Sequence, residues 1–390
     1  MTYLITGCII YIFILFKYLR LYGGHGMSKE SLLDTARKKI NEIDTKMREL
    51  FVERMKAVND VAEYKKERGL SIFDSSREEE IIKRNSEQLE DELLREYYVR
   101  FIRNNMEVSK AYQSRLIEGM RVAYSGTEGA FAHIASEKLY PSAVKVAFGD
   151  FNSAYRAVED GSCDVAVLPV ENSYNGEVGQ VTDLMFSGSL YVNGMYELPV
   201  SQDLLGVKGA SIGDVKEVLS HPQALGQCSE YIKSHGFKQT EYVNTALAAK
   251  RVRDLSDVSV AAIASREAAE LFGLDVLDHD INAARNNTTR FAIFSRVANK
   301  RAGSAHGVHS ILLFTVRNEA GSLARAIDVI GNLGFNMRTL RSRPMKELLW
   351  EYYFYVETEG DIQTERGRLM MEELGEFCDR LKFAGTYVKI

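Results

Sequence analysis

Proline is scarce in this 390-residue chain, with five in all and the first at Pro141. Between Met27 and Arg115 the only glycine is Gly69. A stretch that long with no proline and one glycine excludes a loop-rich or β-rich fold there and leaves helix. Cysteine is also rare: Cys8, Cys163, Cys228 and Cys378 lie far apart. No Cys-x-x-Cys or Cys/His spacing suggests zinc, and a disulfide framework is excluded, so reduced thiols in a reducing compartment, the cytoplasm, are expected. Excess positive charge is missing too. The net charge of -5 and the lack of a basic cluster exclude general nucleic-acid binding. Repeats and low-complexity tracts are absent. One apolar run, Tyr3 to Phe16, is too short for an ordinary membrane span and lacks the flanks of a signal peptide. Residues 1–26 read as an upstream extension, with Met27 as the expected start and no membrane attachment.

What is present begins with Ser28 to Arg68. Ile40, Ile43, Met47, Leu50, Ala57 and Val61 recur at three- and four-residue steps, as on one face of a long helix. Arg54 falls on that stripe, with Arg37 and Lys65 beside it. A buried charge is costly unless paired, and no acidic residue shares the stripe. Arg37 and Arg54 would stand roughly 25 Å apart on one helix. An antiparallel second copy would bring Arg37 of one chain to Arg54 and Lys65 of the other. The spacing also fits solvated charges on a helix flank. A break at Gly69 to Ser76 and another near Asn85 to Asp91 divide the block into three helices.

From Arg121 the texture changes. Short β-rich runs (121–124, 144–148, 164–170, 189–199, 215–219, 258–263, 290–295) alternate with helical ones, which predicts an α/β domain with mainly parallel sheets. Ligands in such domains meet the loops beyond the strands' carboxyl ends. Four loops carry suitable polar groups: Gly126-Thr127-Glu128-Gly129-Ala130-Phe131, Pro169-Val170-Glu171-Asn172-Ser173, Ser220-His221-Pro222-Gln223 with Gln227, and Asn286-Asn287-Thr288-Thr289-Arg290-Phe291. Each alone is also ordinary turn chemistry. His133 reads as a packing residue. After a polar linker, residues 310–390 read as a βαββαβ unit, with helices at 322–333 and 365–381.

Together these patterns resemble a known family, in which an all-helical chorismate mutase is fused to prephenate dehydratase and an ACT regulatory domain. The helical block resembles the mutase at Arg37, Arg54, Lys65, Asp74, Arg77, Glu78, Ser109 and Gln113. The centre resembles the dehydratase at the four loops above, above all Glu171-Asn172-Ser173 and Thr289-Arg290-Phe291. The tail resembles an ACT domain at Gly321-Ser322-Leu323-Ala324 and Ser342-Arg343-Pro344. The resemblance implies domains at 27–118, 120–298 (two-lobed α/β, periplasmic-binding-protein-like) and 308–390 (α+β). It implies conversion of chorismate to prephenate and on to phenylpyruvate, with no cofactor and no metal.

It also implies roles. Arg54 and the partner chain's Arg37 would bind carboxylates, Lys65 and Gln113 would donate to the ether oxygen, and Glu78 would hold the hydroxyl. Ser109, Arg77 and Asp74 would complete that pocket. Thr289 would be the dehydratase acid, Arg290 would bind a carboxylate, and Asn172, Ser173, Ser220, Gln227 and Phe291 would line the second site. A homodimer or larger homo-oligomer and phenylalanine feedback follow from the same likeness. One departure is Arg341, where the family usually has Glu, a charge reversal near the expected effector site. The alternatives are a dehydratase whose helices only dimerise, a non-catalytic phenylalanine sensor, and arogenate as substrate.

Overall fold

The first helix of the computed structural model, α1, runs without a break from Lys29 to Arg68. The structure describes residues 29–283, 286–300, 307–345 and 351–390. The apolar extension expected over 1–26, with Cys8, lies outside them. Among the described residues no helix is long and apolar enough to cross a membrane. The chain divides into two units, one ending at Ile117 and one starting at Glu118.

The N-terminal unit is helical: α1, then α2 (Ser75–Ser86) and α3 (Glu92–Glu118). Asp74 caps α2 by accepting from the Arg77 amide at 3.1 Å. The stripe predicted to be buried on α1 is not covered within one chain. Ile40, Ile43, Met47 and Leu50 are 44 to 63% exposed. Coverage is instead concentrated in the C-terminal half of α1, where Ala62 is buried and Arg54, Val58 and Lys65 are half-buried. Covering each large apolar side chain would contribute roughly 1.5–3 kcal/mol.

The second unit contains two lobes and a C-terminal βαββαβ layer. In chain order the first lobe starts with β1 (Arg121–Ser125), α4 (Phe131–Leu139), β2 (Val144–Phe148), α5 (Phe151–Glu159), β3 (Val165–Asn172), β4 (Gly176–Glu177), α6 (Gly179–Ser187) and β5 (Tyr191–Pro199). The second lobe holds β6 (Asp203–Gly206), β7 (Glu217–Ser220), α7 (Pro222–Gln227), α8 (Ser229–His235), β8 (Lys238–Glu241), α9 (Thr245–Leu255), β9 (Val260–Ala264), α10 (Arg266–Phe272) and β10 (Asp275–Asp278). The chain then returns to the first lobe as β11 (Thr288–Ser295). The sheets are ordered β2-β1-β3-β11-β5 and β10-β6-β9-β7-β8. They are mixed rather than mainly parallel: β11 runs antiparallel to both β3 and β5, and β6 antiparallel to β9 and β10. The return crossing imposes this, because β11 enters the first sheet from the far lobe.

The last layer comprises β12 (Val308–Val316), α11 (Ser322–Asn332), β13 (Met337–Pro344), β14 (Tyr352–Glu359), α12 (Glu365–Gly375) and β15 (Cys378–Val388). Its sheet order is β13-β14-β12-β15. The helix expected to reach Leu381 stops at Gly375, because Cys378 to Val388 pairs with β12 along its whole length. This layer shares a core with the first lobe: Tyr155, Phe294, Leu313, Tyr353 and Tyr387 belong to one buried cluster. Gly385 lies against β5 with φ of 138°, and a Cβ there would meet the Val192 carbonyl oxygen at 2.2 Å. Lys382 reaches across the same interface to donate to the carbonyls of Met185 and Gly188, at the C-terminal end of α6.

Burial pushes the Lys382 ammonium down to about 8 from 10.5, against an opposing pull from Glu159. Between those two pH values the unfolded chain holds a proton that the folded chain has released. Lys382 therefore adds stability as pH rises through that window. In denaturant unfolding of wild type and Lys382→Met at pH 7.5 to 10.5, wild type gains on the variant with rising pH. A constant difference would contradict the burial.

Candidate active sites

In the helical unit, Arg54 donates to the Ser109 hydroxyl, and Ser109 in turn donates to the Asn105 carbonyl at 2.7 Å. Gln113, one turn further along α3, reaches the Ser109 carbonyl at 3.4 Å, a weak bond that is readily exchanged. Its other amide atom, Oε1, is buried without a hydrogen-bond partner among the described residues. Burial lowers the Arg54 guanidinium from its ordinary value. Thus a cation, a hydroxyl and an amide share one partly dry spot, where the Arg54 guanidinium suits an incoming anion and the free Gln113 oxygen can accept from a donor. Lys65 donates to the Ile72 carbonyl at 2.6 Å, next to the Asp74 cap. Glu78 pairs with Lys110 at 2.9 Å, a half-buried residue missed in the sequence. Arg77 turns outward to Glu80 at 2.6 Å. Arg37 is exposed, in the N-terminal half of α1.

In the second unit the centre is the end of the β3–β11 pair. Asn172 lies opposite Thr289, and Glu171 opposite Arg290. Alternation along a strand sends successive side chains to opposite faces. Asn172 donates to the Thr289 hydroxyl at 2.9 Å and to Asn287 at 2.8 Å. Its carbonyl oxygen accepts from the amides of Tyr174 (3.0 Å) and Asn175 (2.9 Å). Asn287, buried, donates to Gln227 of the second lobe at 3.3 Å. One polar chain, Thr289–Asn172–Asn287–Gln227, therefore spans the two lobes. Because Thr289 accepts from Asn172, its own hydroxyl hydrogen is left to donate. A second bridge between lobes, Asn244 to Thr127 at 3.3 Å, closes the turn whose Gly126 and Gly129 have φ of 107° and 83°. His133 packs against Tyr124, and burial lowers its imidazole from the ordinary value.

Several expected site residues are placed elsewhere. Arg290 was expected to hold a substrate carboxylate, but it holds the protein's own: Glu171 at 3.2 Å and Glu357 of β14 at 3.1 Å, with the Tyr387 hydroxyl at 3.0 Å. Although burial alone would lower it, Glu357 keeps Arg290 above its ordinary value. Ser220 is fully buried and donates to the Ile263 carbonyl at 2.5 Å, joining β7 to β9. Phe291 is a core side chain beside Ile134 and Leu198. Ser173 accepts from the Thr288 amide at 2.9 Å and extends the strand pairing.

In the C-terminal layer, a cavity of about 360 Å³ is lined by Val316, Asn318, Leu323, Ser342, Tyr352 and Phe354. It unites one member of each expected effector motif. Gly321 starts α11 with φ of 88° and Ser322 follows, while Ala324 is exposed. Arg343 turns the other way, to Asp183 at 2.9 Å, and Pro344 lines a separate cavity against the first lobe. Arg341, the charge-reversed position, contacts Glu171 rather than this cavity.

Two lobes joined by a returning strand, with polar groups converging between them, define a small-molecule enzyme of the two-lobed α/β class, here carrying a helical unit and a βαββαβ layer. Sequence models of known families match two stretches: prephenate dehydratase over 122–299 and chorismate mutase type II over 36–114. A bifunctional chorismate mutase/prephenate dehydratase from Neisseria gonorrhoeae is 30% identical, covering 92% of this chain and 97% of that one. Arogenate dehydratase/prephenate dehydratase 2 from Arabidopsis thaliana is 33% identical over 69% of this chain and 72% of its own. A solved structure described as GqqA, of a novel type of quorum quenching acylases, superposes with TM-score 0.64 at 30% identity, covering 69% of this chain and 98% of that chain. The chain belongs to the bifunctional chorismate mutase/prephenate dehydratase family. It converts chorismate to prephenate and prephenate to phenylpyruvate.

Placing Ser220 in the framework has a consequence. Ser220→Ala lowers stability by about 1 kcal/mol and leaves prephenate turnover within about twofold. Loss of turnover with unchanged stability would return Ser220 to the site.

Proposed function

We propose that the mutase reaction takes place between two copies of α1, and that the carrying observation is the cluster Arg54–Ser109–Gln113 beneath an uncovered apolar stripe. The rearrangement is pericyclic, so the protein needs only to hold the compact conformer and stabilise charge on the breaking ether oxygen. Arg54 binds one carboxylate and the partner's Arg37 the other. Lys65 and Gln113 donate to the ether oxygen. Glu78 holds the hydroxyl, steadied by Lys110, while Asp74, Arg77 and Ser109 frame the pocket. The exposed row Ile40, Ile43, Met47 and Leu50 supports a dimer in which each chain covers the other.

For the second reaction, Thr289 protonates the departing hydroxyl as carbon dioxide leaves and the ring becomes aromatic. Asn172 holds Thr289, and Asn287 and Gln227 hold the lobes closed around the substrate. Prephenate is the assigned substrate rather than arogenate, because the same chain produces it. The cavity at Leu323 and Ser342 receives phenylalanine, whose binding feeds back on the dehydratase. The enzyme acts in the cytoplasm, in keeping with three free cysteines among the described residues.

Removing one charge-stabilising donor costs about 100-fold or more, so Arg54→Ala lowers chorismate turnover by at least that and spares prephenate turnover. Thr289→Ala does the reverse and makes prephenate accumulate from chorismate. Arg37→Ala and Arg54→Ala chains, each inactive in the mutase assay, recover about a quarter of wild-type activity when refolded together, because half the sites of each mixed C2 dimer are intact. No recovery on mixing would refute the shared pocket.

A further inference from the structure

The expected carboxylate binder Arg290 faces away from Thr289, into a set of charges contributed by two layers. From the first lobe come Arg290 and Glu171, cross-strand neighbours on β11 and β3. From the C-terminal layer come Glu357 on β14, Arg341 on β13 and the Tyr387 and Tyr355 hydroxyls. Glu357 is almost fully buried and accepts from Arg290, from Tyr387 at 2.5 Å and from Tyr355 at 3.3 Å. Glu171 lies between the guanidiniums of Arg290 and Arg341. At the rim of the set Glu197 approaches Arg290 at 4.0 Å and is paired to Lys389 at 2.9 Å, so three cations and three anions balance, and Glu171 and Glu357 are each held from more than one direction.

The register ties this set to the chemistry. Thr289 and Arg290 are consecutive on β11, and Asn172 and Glu171 are consecutive on β3. Immediately beyond them the pairing shifts, so that Phe291 faces Pro169. A bulge of this kind re-aims the side chains at a strand end and disrupts the ladder that would otherwise fix them. What fixes the strand ends on the far side is the charge set.

We propose that Arg290, Glu171, Glu357 and Arg341 are positioning residues of the dehydratase, through which the C-terminal layer sets the distance and angle between Asn172 and Thr289. The proposal rests on Thr289 and Asn172 facing prephenate. Arg290 does not touch substrate. It holds β11 against Glu357, and Glu171 holds β3 against Arg341, so that both strand ends are referenced to the β13–β14 hairpin. Arg341 thereby acquires a role in this chain distinct from effector binding: it supplies the cation that Glu171 needs on its second side. A shift of β13 or β14 of a few tenths of an ångström reaches the Asn172–Thr289 pair without passing through the cleft.

The experiment uses the full chain and measures kcat and KM for prephenate, with chorismate turnover in the same preparation as a folding control. Glu357→Gln keeps the shape and removes the charge. Misplacement of a catalytic group costs turnover rather than binding, so kcat for prephenate falls by about tenfold or more while KM stays within about twofold. Glu357→Asp recovers part of that loss. Arg341→Ala, at a less buried position, and Tyr387→Phe, which removes one hydroxyl, give smaller losses of the same kind and serve if Glu357→Gln does not fold. Unchanged kcat in Glu357→Gln and Arg341→Ala would overturn the proposal. So would an Arg290→Gln variant with raised KM and wild-type kcat, which would mark Arg290 as a substrate ligand. Absence of prephenate turnover in wild type would refute the functional assignment instead, a separate failure.

Discussion

The pairing of β3 with β11 sets up the dehydratase unit. Two adjacent rungs of that ladder, Asn172 opposite Thr289 and Glu171 opposite Arg290, point to opposite faces. One rung presents amide and hydroxyl to the cleft. The other presents opposite charges to the C-terminal layer, where Glu357 and Arg341 meet them. A strand paired one residue out of register would turn the hydroxyl into the charge network and a guanidinium into the cleft. Burial of Glu357 makes the register costly to change, since a buried carboxylate without its cation is strongly unfavourable. The network therefore stabilises one arrangement of Asn172 and Thr289 as well as the docking of a domain.

The two reactions ask different things of the protein, and the two units answer differently. The rearrangement needs charge and confinement, which helices supply through long side chains on facing surfaces. The helical unit of one chain has Arg54, Ser109 and Gln113 assembled but leaves its apolar row uncovered. The elimination needs an acid at a fixed place. Here a returning strand brings Thr289 into the sheet of the first lobe while Asn287 reaches Gln227 in the second. Both lobes are thereby tied to Thr289, the proposed proton donor.

Much of this was legible from residues alone. Three helices, the change of texture at Arg121 and the βαββαβ tail followed from breaker content and periodicity. The short strands Asp203–Gly206, Lys238–Glu241 and Asp275–Asp278 did not, because four residues are too few for alternation to register and Lys238–Glu241 is an edge strand of polar residues. The motif residues of the central domain were recognisable, but their directions were not. Thr289-Arg290-Phe291 reads as one unit in sequence, whereas in space it is a cleft group, an interdomain cation and a core ring. Ser220 carries a polar group for a backbone reason, its bond to Ile263, which no local pattern reveals. Arg341 drew notice as a charge reversal, yet its partner Glu171 lies 170 positions away.

The most direct test is a crystal structure of the full chain with phenylpyruvate bound between the lobes. The account predicts the ligand against Thr289 and Asn172, with Arg290 still paired to Glu357 and Glu171. A structure in which Arg290 has left Glu357 to grip the ligand carboxylate would contradict it.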